Sequence, residues 1–170
     1  MKKILLVAVF AVVAFTASAQ TEAKGRTRFS IGLEAGLPIG DAGDVYSSML
    51  GGSVKVEIPV ASALFATVSG GYTKPSLKKE LKDFGFESSG IIPLKAGLKY
   101  FFTSNFYGAG EIGAAIGTAD GAETLLAFAP GIGISYPVSD KNDIDAGVRY
   151  ESWSKNGSIN QIGFHVALKF

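Results

Sequence analysis

The sequence predicts an all-β protein, a closed barrel of eight antiparallel strands connected up and down. Three observations predict it. After residue 28 the hydrophobic residues recur at every second position, which places them on one face of a strand. The alternating segments are about 9 to 12 residues long, the length of a tilted membrane-crossing strand. Tight and long connections follow one another between them, as in an up-and-down barrel.

Composition excludes several classes of function before any motif is considered. The chain has 170 residues, 47% of them hydrophobic, which predicts a single domain. It has no Cys, which excludes a disulfide scaffold, a thiol nucleophile and a Cys-ligated metal site. Lys and Arg number 16 against 15 Asp and Glu, so no basic excess indicates nucleic-acid binding.

The first nineteen residues have the three parts of a secretory signal. Lys2 and Lys3 precede an unbroken apolar run, 4–15, and Ala17-Ser18-Ala19 is a small-residue cleavage site. A membrane-spanning anchor needs about 20 apolar residues, more than this run supplies. The predicted division of the chain is a signal peptide at 1–19, a short N-terminal periplasmic segment at 20–27 and the barrel domain at 28–170.

Each strand is predicted from one alternating segment. In the fourth segment, for example, Ile92, Leu94 and Ala96 alternate with Pro93 and Lys95. No helix is predicted after the signal, and no later stretch reaches 18 consecutive apolar residues. In order, the segments are 29–39, 53–60, 64–73, 92–100, 106–116, 128–136, 144–151 and 162–170.

The connections predict which end of the barrel carries long loops. The first and third are long, and the second and fourth are tight, as expected for outer loops and periplasmic turns. Asn156-Gly157 in the last connection predicts a two-residue hairpin turn. This turn is enough to explain Asn156-Gly157-Ser158, which also matches a glycosylation acceptor. The connections lie near 40–50, 60–63, 73–89, 102–105, 117–125, 137–143 and 154–158.

The two faces of the strands predict a membrane barrel rather than a soluble one. A soluble barrel buries its apolar face, whereas a membrane barrel turns that face toward lipid and its polar face inward. The polar face is rich in Gly, and its charges balance, as charges enclosed together must. His165 lies on the same face and is expected to be a structural hydrogen-bonding group. The balanced charges are Lys55, Lys95, Lys99, Arg149 and Lys169 against Glu34, Glu57, Glu111, Asp145 and Glu151.

Aromatic residues on the apolar face are expected at both edges of the membrane, as girdles. Closure of the barrel would satisfy the backbone groups that lipid cannot. The predicted girdle has Tyr100, Phe106, Tyr136 and Phe170 at the periplasmic edge, and Tyr72 and Tyr150 at the outer edge.

One region resembles a known family. Ile92–Phe102 (IPLKAGLKYFF), a short turn and Asn105–Gly113 (NFYGAGEIG) resemble the outer membrane protein β-barrel domain family. Its members are small OmpX-like or OmpA-transmembrane-like barrels, often labelled porin-family proteins. The resemblance covers about 28–170 and implies a location in the bacterial outer membrane. Because the sequence ends at the last strand, no peptidoglycan-binding domain is expected.

The end of the chain also resembles a signal of that family. Phe170 follows apolar residues at alternate positions, as in the recognition signal of the outer-membrane barrel assembly machinery. The resemblance implies that this machinery inserts the protein. The residues concerned are Phe164, Val166, Leu168 and Phe170.

Two motifs that indicate bound groups are rejected. Gly108–Gly113 matches the dinucleotide fingerprint, but no helix pattern follows it and no acid lies near Gly131 to Gly133. Asp140–Asp145 lacks the Gly and the Glu of a calcium loop and is interpreted as a periplasmic turn. With one His and no Cys, no cofactor or metal site is predicted.

No catalytic residue is predicted either. Some outer-membrane enzymes cut lipids with a barrel His, a Ser and an acid, and the deacylase type has a His-x-Ser pair. Here Ala167 follows His165 at the second position, and nothing in the sequence supplies a nucleophilic Ser with its base and orienting acid. We therefore expect a non-enzymatic protein.

The long connection at 74–87 (KPSLKKELKDFGFE) has two interpretations. It is a solvated loop, since exposed charges contribute little, or a surface that contacts anionic lipopolysaccharide or another macromolecule. The residues of this possible contact surface are Lys74, Lys78, Lys79, Lys82, Phe84 and Phe86.

Together these observations predict a monomeric barrel in the outer membrane of a double-membraned bacterium. Eight strands leave an interior just wide enough for side chains, which favours a filled core and a structural or surface role. A narrow pore and a lipid-modifying enzyme are the alternatives. The expected partners are outer-membrane lipid, lipopolysaccharide and the assembly machinery. The sequence identifies no extracellular ligand.

Overall fold

The structure is a computed structural model that describes residues 26–85 and 88–170. The predicted signal peptide at 1–19 and most of the predicted periplasmic segment, 20–25, lie outside the described residues.

Eight antiparallel strands close into a barrel in chain order. Each strand pairs with its neighbours in sequence, and the first also pairs with the last. The predicted eight-stranded up-and-down barrel is therefore confirmed. The strands are β1 Arg28–Ile39, β2 Tyr46–Pro59, β3 Leu64–Leu77, β4 Ile91–Phe101, β5 Phe106–Gly117, β6 Thr124–Pro137, β7 Asp143–Ser154 and β8 Ser158–Lys169.

Two short helices interrupt the first and third connections, at the end of the barrel that carries the longer loops. They are α1, Asp41–Val45, and α2, Lys79–Asp83, each of five residues. The expectation of no helix was wrong at these positions, where little more than one helical turn forms within a loop. Neither helix is long and apolar enough to cross a membrane, within the part of the chain that the structure describes.

Several strands are longer than predicted, and the loops at their ends are correspondingly shorter. β2, β3 and β6 have 14 residues each. They continue past the apolar segment with polar outward side chains such as Ser48, because backbone pairing does not require an apolar neighbour. The assignment of Lys74 to a connection was wrong, since it lies in β3 and pairs with Leu50.

The predicted two-residue turn at Asn156-Gly157 was also wrong. Ser154 pairs with Ser158, so the connection has three residues, 155–157. A two-residue turn would slip the register by one residue and turn one strand's side chains to the other face. The inward positions of β7 and β8, with Arg149 opposite Gly163, fix the observed register instead.

The outer surface of the barrel is apolar, as the alternation predicts. In β1 the outward residues run from Phe29 to Ile39, and Leu33 among them is 77% exposed. At about 3.3 Å per residue and a tilt of about 40°, this row covers about 25 Å, the height of the apolar band of membrane barrels. The inward positions hold the charged and small residues together with a few large side chains such as Tyr107 and Trp153.

Candidate functional site in the barrel interior

The inward charged side chains form two layers, which we name by the end of the barrel that each one faces. The turn end carries the tight turns and the loop end carries α1 and α2. The loop-end layer is Glu34, Lys55, Lys95, Glu111, Arg149 and Glu151. The turn-end layer is Arg28, Glu57, Lys99, Asp143, Asp145 and Lys169.

In the loop-end layer, Glu151 joins two cations. Its carboxylate oxygens lie 2.7 Å from Lys95 Nζ and 2.7 Å from Arg149 Nε. Arg149 also pairs with Glu34 on β1 through its Nη2 atom. Lys95 is on β4 and Glu151 is on β7, so their ion pair crosses the lumen.

Glu111 is the second anionic centre of this layer. Lys55 Nζ lies 3.1 Å from one of its oxygens, and Lys95 Nζ lies 3.9 Å from the other. The hydroxyls of Thr67 and Ser69 donate hydrogen bonds to the same carboxylate, at 3.1 and 3.3 Å. Each oxygen of this buried carboxylate therefore has a partner.

In the turn-end layer, Lys99 lies between two carboxylates. Its Nζ is 2.6 Å from Glu57 Oε1 and 2.6 Å from Asp145 Oδ2. It also lies over the ring of Tyr107, 3.7 Å from the ring centroid, which adds a cation–π contact. Lys99 is almost fully buried, so these contacts replace its lost hydration.

His165 joins the same layer at Asp145. Its Nε2 lies 3.0 Å from Asp145 Oδ1, and the Tyr107 hydroxyl donates to that oxygen at 2.6 Å. The hydroxyl oxygen of Tyr107 is also 3.2 Å from Nε2. Within the described residues, no serine hydroxyl hydrogen-bonds to His165. The contacts give a hydrogen-bonding cluster without a serine nucleophile.

Three residues complete the turn-end layer. Lys169 Nζ lies 3.3 Å from Asp143 and 3.6 Å from Glu57. Arg28 pairs with Asp143 at 2.8 Å. Sequence analysis missed Arg28 and Asp143, although extending the alternation by one position from Phe29 and from Ile144 would have placed both inside.

An apolar cluster covers the loop-end layer, and sequence analysis missed it entirely. Trp153 and Met49 are each 1% exposed and pack with two buried alanines. The indole N–H of Trp153 donates to Glu151 at 3.0 Å, which joins this cap to the charges below it. We call these residues the apolar cap: Met49, Ala115, Ala127 and Trp153, with Tyr46, Ile91, Leu125 and Ile159 packed against them.

Cavities differ sharply between the two ends. Beside the loop-end layer, cavities of about 20 and 10 Å³ offer about the space of one water each. At the turn end a cavity of about 590 Å³ opens between the turns, lined by Arg28, Phe101 and Lys169 among others. No group of three or more His, Asp or Glu in the described ranges is placed to hold a metal ion.

The predicted girdle residues all point outward and are exposed. Tyr100, Phe106, Tyr136 and Phe170 lie at the turn end, and Tyr136 is the most exposed of them at 64%. Toward the loop end, Tyr72 and Tyr150 are followed by outward polar residues: Lys74 and Ser76 on β3, and Ser152 and Ser154 on β7.

The predicted assembly signal also lies on the outward face. Phe164, Val166, Leu168 and Phe170 are all exposed. Phe170 exchanges two backbone hydrogen bonds with Phe29, at 2.9 and 2.8 Å, so the last residue still pairs with β1.

The residues of the predicted contact surface are divided between several elements. Lys74 lies in β3, Lys78 follows that strand, and Lys79 begins α2, which also contains Lys82. Phe84 follows α2 and is 81% exposed, the highest value among the large hydrophobic residues described. Phe86 lies outside the described residues.

Comparison with known proteins extends the fold assignment. No protein-family model matches the sequence. No curated protein matches it either. Solved structures do match, at identities that show the fold alone.

Three barrels illustrate the likeness. Ail, the attachment invasion locus protein of Yersinia pestis, has a TM-score of 0.57 and 18% identity over 85% of this chain and 97% of that one. Neisserial surface protein A has a TM-score of 0.56 and 17% identity, over 84% of this chain and 94% of that one. The N-terminal β-barrel domain of Pseudomonas aeruginosa OprF has a TM-score of 0.52 and 13% identity, over 86% of this chain and 100% of that one. The chain therefore has the eight-stranded transmembrane fold of outer-membrane barrels.

Proposed function

We propose that this transmembrane barrel is a non-enzymatic protein of the bacterial outer membrane that acts through its stable wall and its outer loops. The observation that carries the proposal is the closed interior. Paired charges fill the lumen, and the apolar cap covers it at the loop end. A filled lumen leaves the loops and the outer surface as the parts able to meet other molecules.

The outer-membrane location is supported by the apolar band and by the kinds of protein that share the fold. A cleaved signal at 1–19 would export the chain. Gel mobility of separated membrane fractions tests this directly. We expect the folded barrel in the outer-membrane fraction, with a mobility that changes on heating. Recovery in the soluble fraction without detergent would contradict the proposal.

The proposed orientation places the turn end in the periplasm and α2 outside the cell. Lys79 and Phe84 are both exposed there, as a surface that contacts other molecules requires. We expect trypsin added to intact cells to cleave within 78–90 and to leave the turns uncut. Cleavage restricted to the turns would contradict the orientation.

A surface-interaction role is supported by this exposed loop and, more distantly, by the fold shared with a protein described as an attachment invasion locus protein. The outer-membrane lipid and lipopolysaccharide are the proposed partners of the wall and its rim. The outward row that ends at Phe170 is the proposed contact for the barrel assembly machinery.

A narrow pore is the second candidate, favoured by the polar lumen and by the cavity of about 590 Å³ at the turn end. Conductance across planar bilayers separates the two functions. We expect no steady openings from the wild-type barrel, because Trp153 and Met49 close the other end. Steady openings that change with Arg149→Ala would favour the pore and remove the first proposal.

The non-enzymatic proposal is tested on the lipids themselves. We expect the acyl pattern of lipid A, measured by mass spectrometry, to be the same with and without the protein. An altered pattern that disappears in His165→Ala would overturn the proposal.

A further inference from the structure

The wall of the barrel carries an apolar groove on its lipid-facing side, which we call the wall groove. Its volume is about 580 Å³, within the range of about 300 to 1,000 Å³ that small-molecule sites occupy. The groove crosses four adjacent strands, β1 to β4. Its outward residues are Ile31, Leu33, Gly52, Val54, Gly70 and Leu94.

Two outward glycines create the groove. Leu33 pairs directly with Gly52, and Leu94 pairs with Gly70, so each leucine stands beside a position without a side chain. This explains why Leu33, at 77%, is the most exposed large hydrophobic residue of the strands.

The pairing between β3 and β4 is also interrupted beside the groove. Gly70 pairs with Leu94, and the next pair toward the loop end is Thr73 with Ile91. Pro93 lies between them and has no N–H to donate. The backbone pairing of β3 with β4 is therefore incomplete on the loop-end side of the groove.

A cation lies beyond the groove on its loop-end side, two outward positions past Gly70. The outward positions of β3 run from Gly70 through Tyr72 to Lys74. Tyr72 is 48% exposed and its ring lies close to Gly90. Lys74 is exposed, and it is the single charged residue on the outward faces of the eight described strands.

We propose that the wall groove and Lys74 together bind one molecule of lipid A, with acyl chains in the groove and a phosphate on the Lys74 ammonium group. The inference rests on the proposed outer-membrane location. A lone cation at the edge of an apolar wall attracts the anionic headgroups of the adjacent leaflet. Three strand spacings of about 4.8 Å make the groove about 14 Å wide, so it can contact part of the acyl region of lipid A, which joins several acyl chains to one phosphorylated headgroup.

Native mass spectrometry of the purified barrel in neutral detergent, titrated with diphosphoryl lipid A, tests the site. We expect the wild type and Lys74→Arg to retain one lipid A molecule. We expect Lys74→Gln to weaken retention about fivefold, the effect of one basic residue near a charged membrane surface. Dephosphorylated lipid A should bind the wild type as weakly as lipid A binds Lys74→Gln.

Filling the groove tests the acyl contact with a matched control. A Cβ added at Gly70 would lie 3.1 Å from Leu94 Cδ2, the movable end of that side chain, and would meet no other atom within 4 Å, so we expect Gly70→Leu to fold with its side chain in the groove. Gly110 is an outward glycine on β5 with nothing within 4 Å of an added Cβ. We expect Gly70→Leu to lose lipid A and Gly110→Leu to keep it, with heat-dependent gel mobility showing that both variants are folded.

Equal retention by Lys74→Gln and the wild type, or by Gly70→Leu and Gly110→Leu, would overturn the site. Phosphatidylglycerol bound as tightly as lipid A would overturn the assignment to lipid A. Because retention is measured on the purified barrel, these results are independent of membrane fractionation. A barrel found in the outer membrane but without this selectivity therefore refutes the lipid site and leaves the proposed location intact.

Discussion

Lys99 illustrates the cost of enclosing a charge within this barrel. Its ammonium group is held by Glu57 and Asp145 and lies over the Tyr107 ring. Removing such a charge from water costs several kcal/mol, which only close and well-oriented partners offset. The stability that these ion pairs contribute is therefore measured most directly by removing one partner, which leaves the other charge buried and unpaired.

We predict that Lys99→Met lowers the free energy of unfolding by about 3 to 5 kcal/mol, because two buried carboxylates lose their shared cation. Urea titration of the barrel in lipid vesicles measures this change. Trp153 is the single tryptophan of the chain and lies in the apolar cap, so its fluorescence reports unfolding.

Lys155→Met is the matched control. Lys155 pairs with Glu123 at 2.7 Å, but the two side chains are 47% and 56% exposed. An exposed ion pair contributes about 0 to 1 kcal/mol. Equal losses in the two variants would show that burial of Lys99 does not determine its contribution.

At the scale of elements, β4 and β5 approach each other closely because glycines face inward between their charged residues. A Cβ added to Gly113 would lie 2.0 Å from the carbonyl oxygen of Leu94, and one added to Gly97 would lie 2.0 Å from that of Gly110. Either substitution must push the backbones apart. The two strands therefore depend on these positions for their pairing.

We predict that Gly113→Ala destabilises the barrel by about 1 to 3 kcal/mol, the usual cost of overpacking. Gly110→Ala, which meets no atom within 4 Å, should change the stability little. The same urea titration compares them. A smaller loss for Gly113→Ala than for Gly110→Ala would contradict the close approach.

The lipid-facing side of β4 gives a second prediction at this scale. Ala96 is exposed at an outward position within the apolar band, so Ala96→Arg should cost about 2 to 4 kcal/mol of folding stability in vesicles. Ser76→Arg is the control, since Ser76 lies on the outward face of β3 beyond Lys74. Equal costs at the two positions would contradict the proposed height of the membrane.

At the scale of the whole molecule, the number of strands and their faces could be predicted because lipid and lumen impose opposite requirements on alternate residues. The strand ends could not. Beyond the apolar band, outward residues such as Ser48 and Lys74 are polar although the backbone pairing continues. A sequence pattern that depends on lipid contact ends where the lipid ends.

The contents of the lumen were predictable by residue type but not by partner. Lys95 on β4 reaches Glu151 on β7, a contact across the barrel that depends on the stagger of strands far apart in sequence. Trp153 and Met49 escaped prediction because they are apolar residues at inward positions. They lie beyond the predicted ends of their strands, and at these positions the inward side chains are apolar rather than polar.

The two ends of the barrel differ, since the turn end has an open cavity and the loop end is closed by the apolar cap. In the proposed orientation the cavity of about 590 Å³ opens to the periplasm, the two charged layers lie behind it, and the apolar cap with Trp153 closes the far end. If the proposed closed barrel is correct, a solute that enters from the periplasm stops at the charged layers. In the proposed role, many copies of this barrel would leave the permeability barrier of the envelope intact.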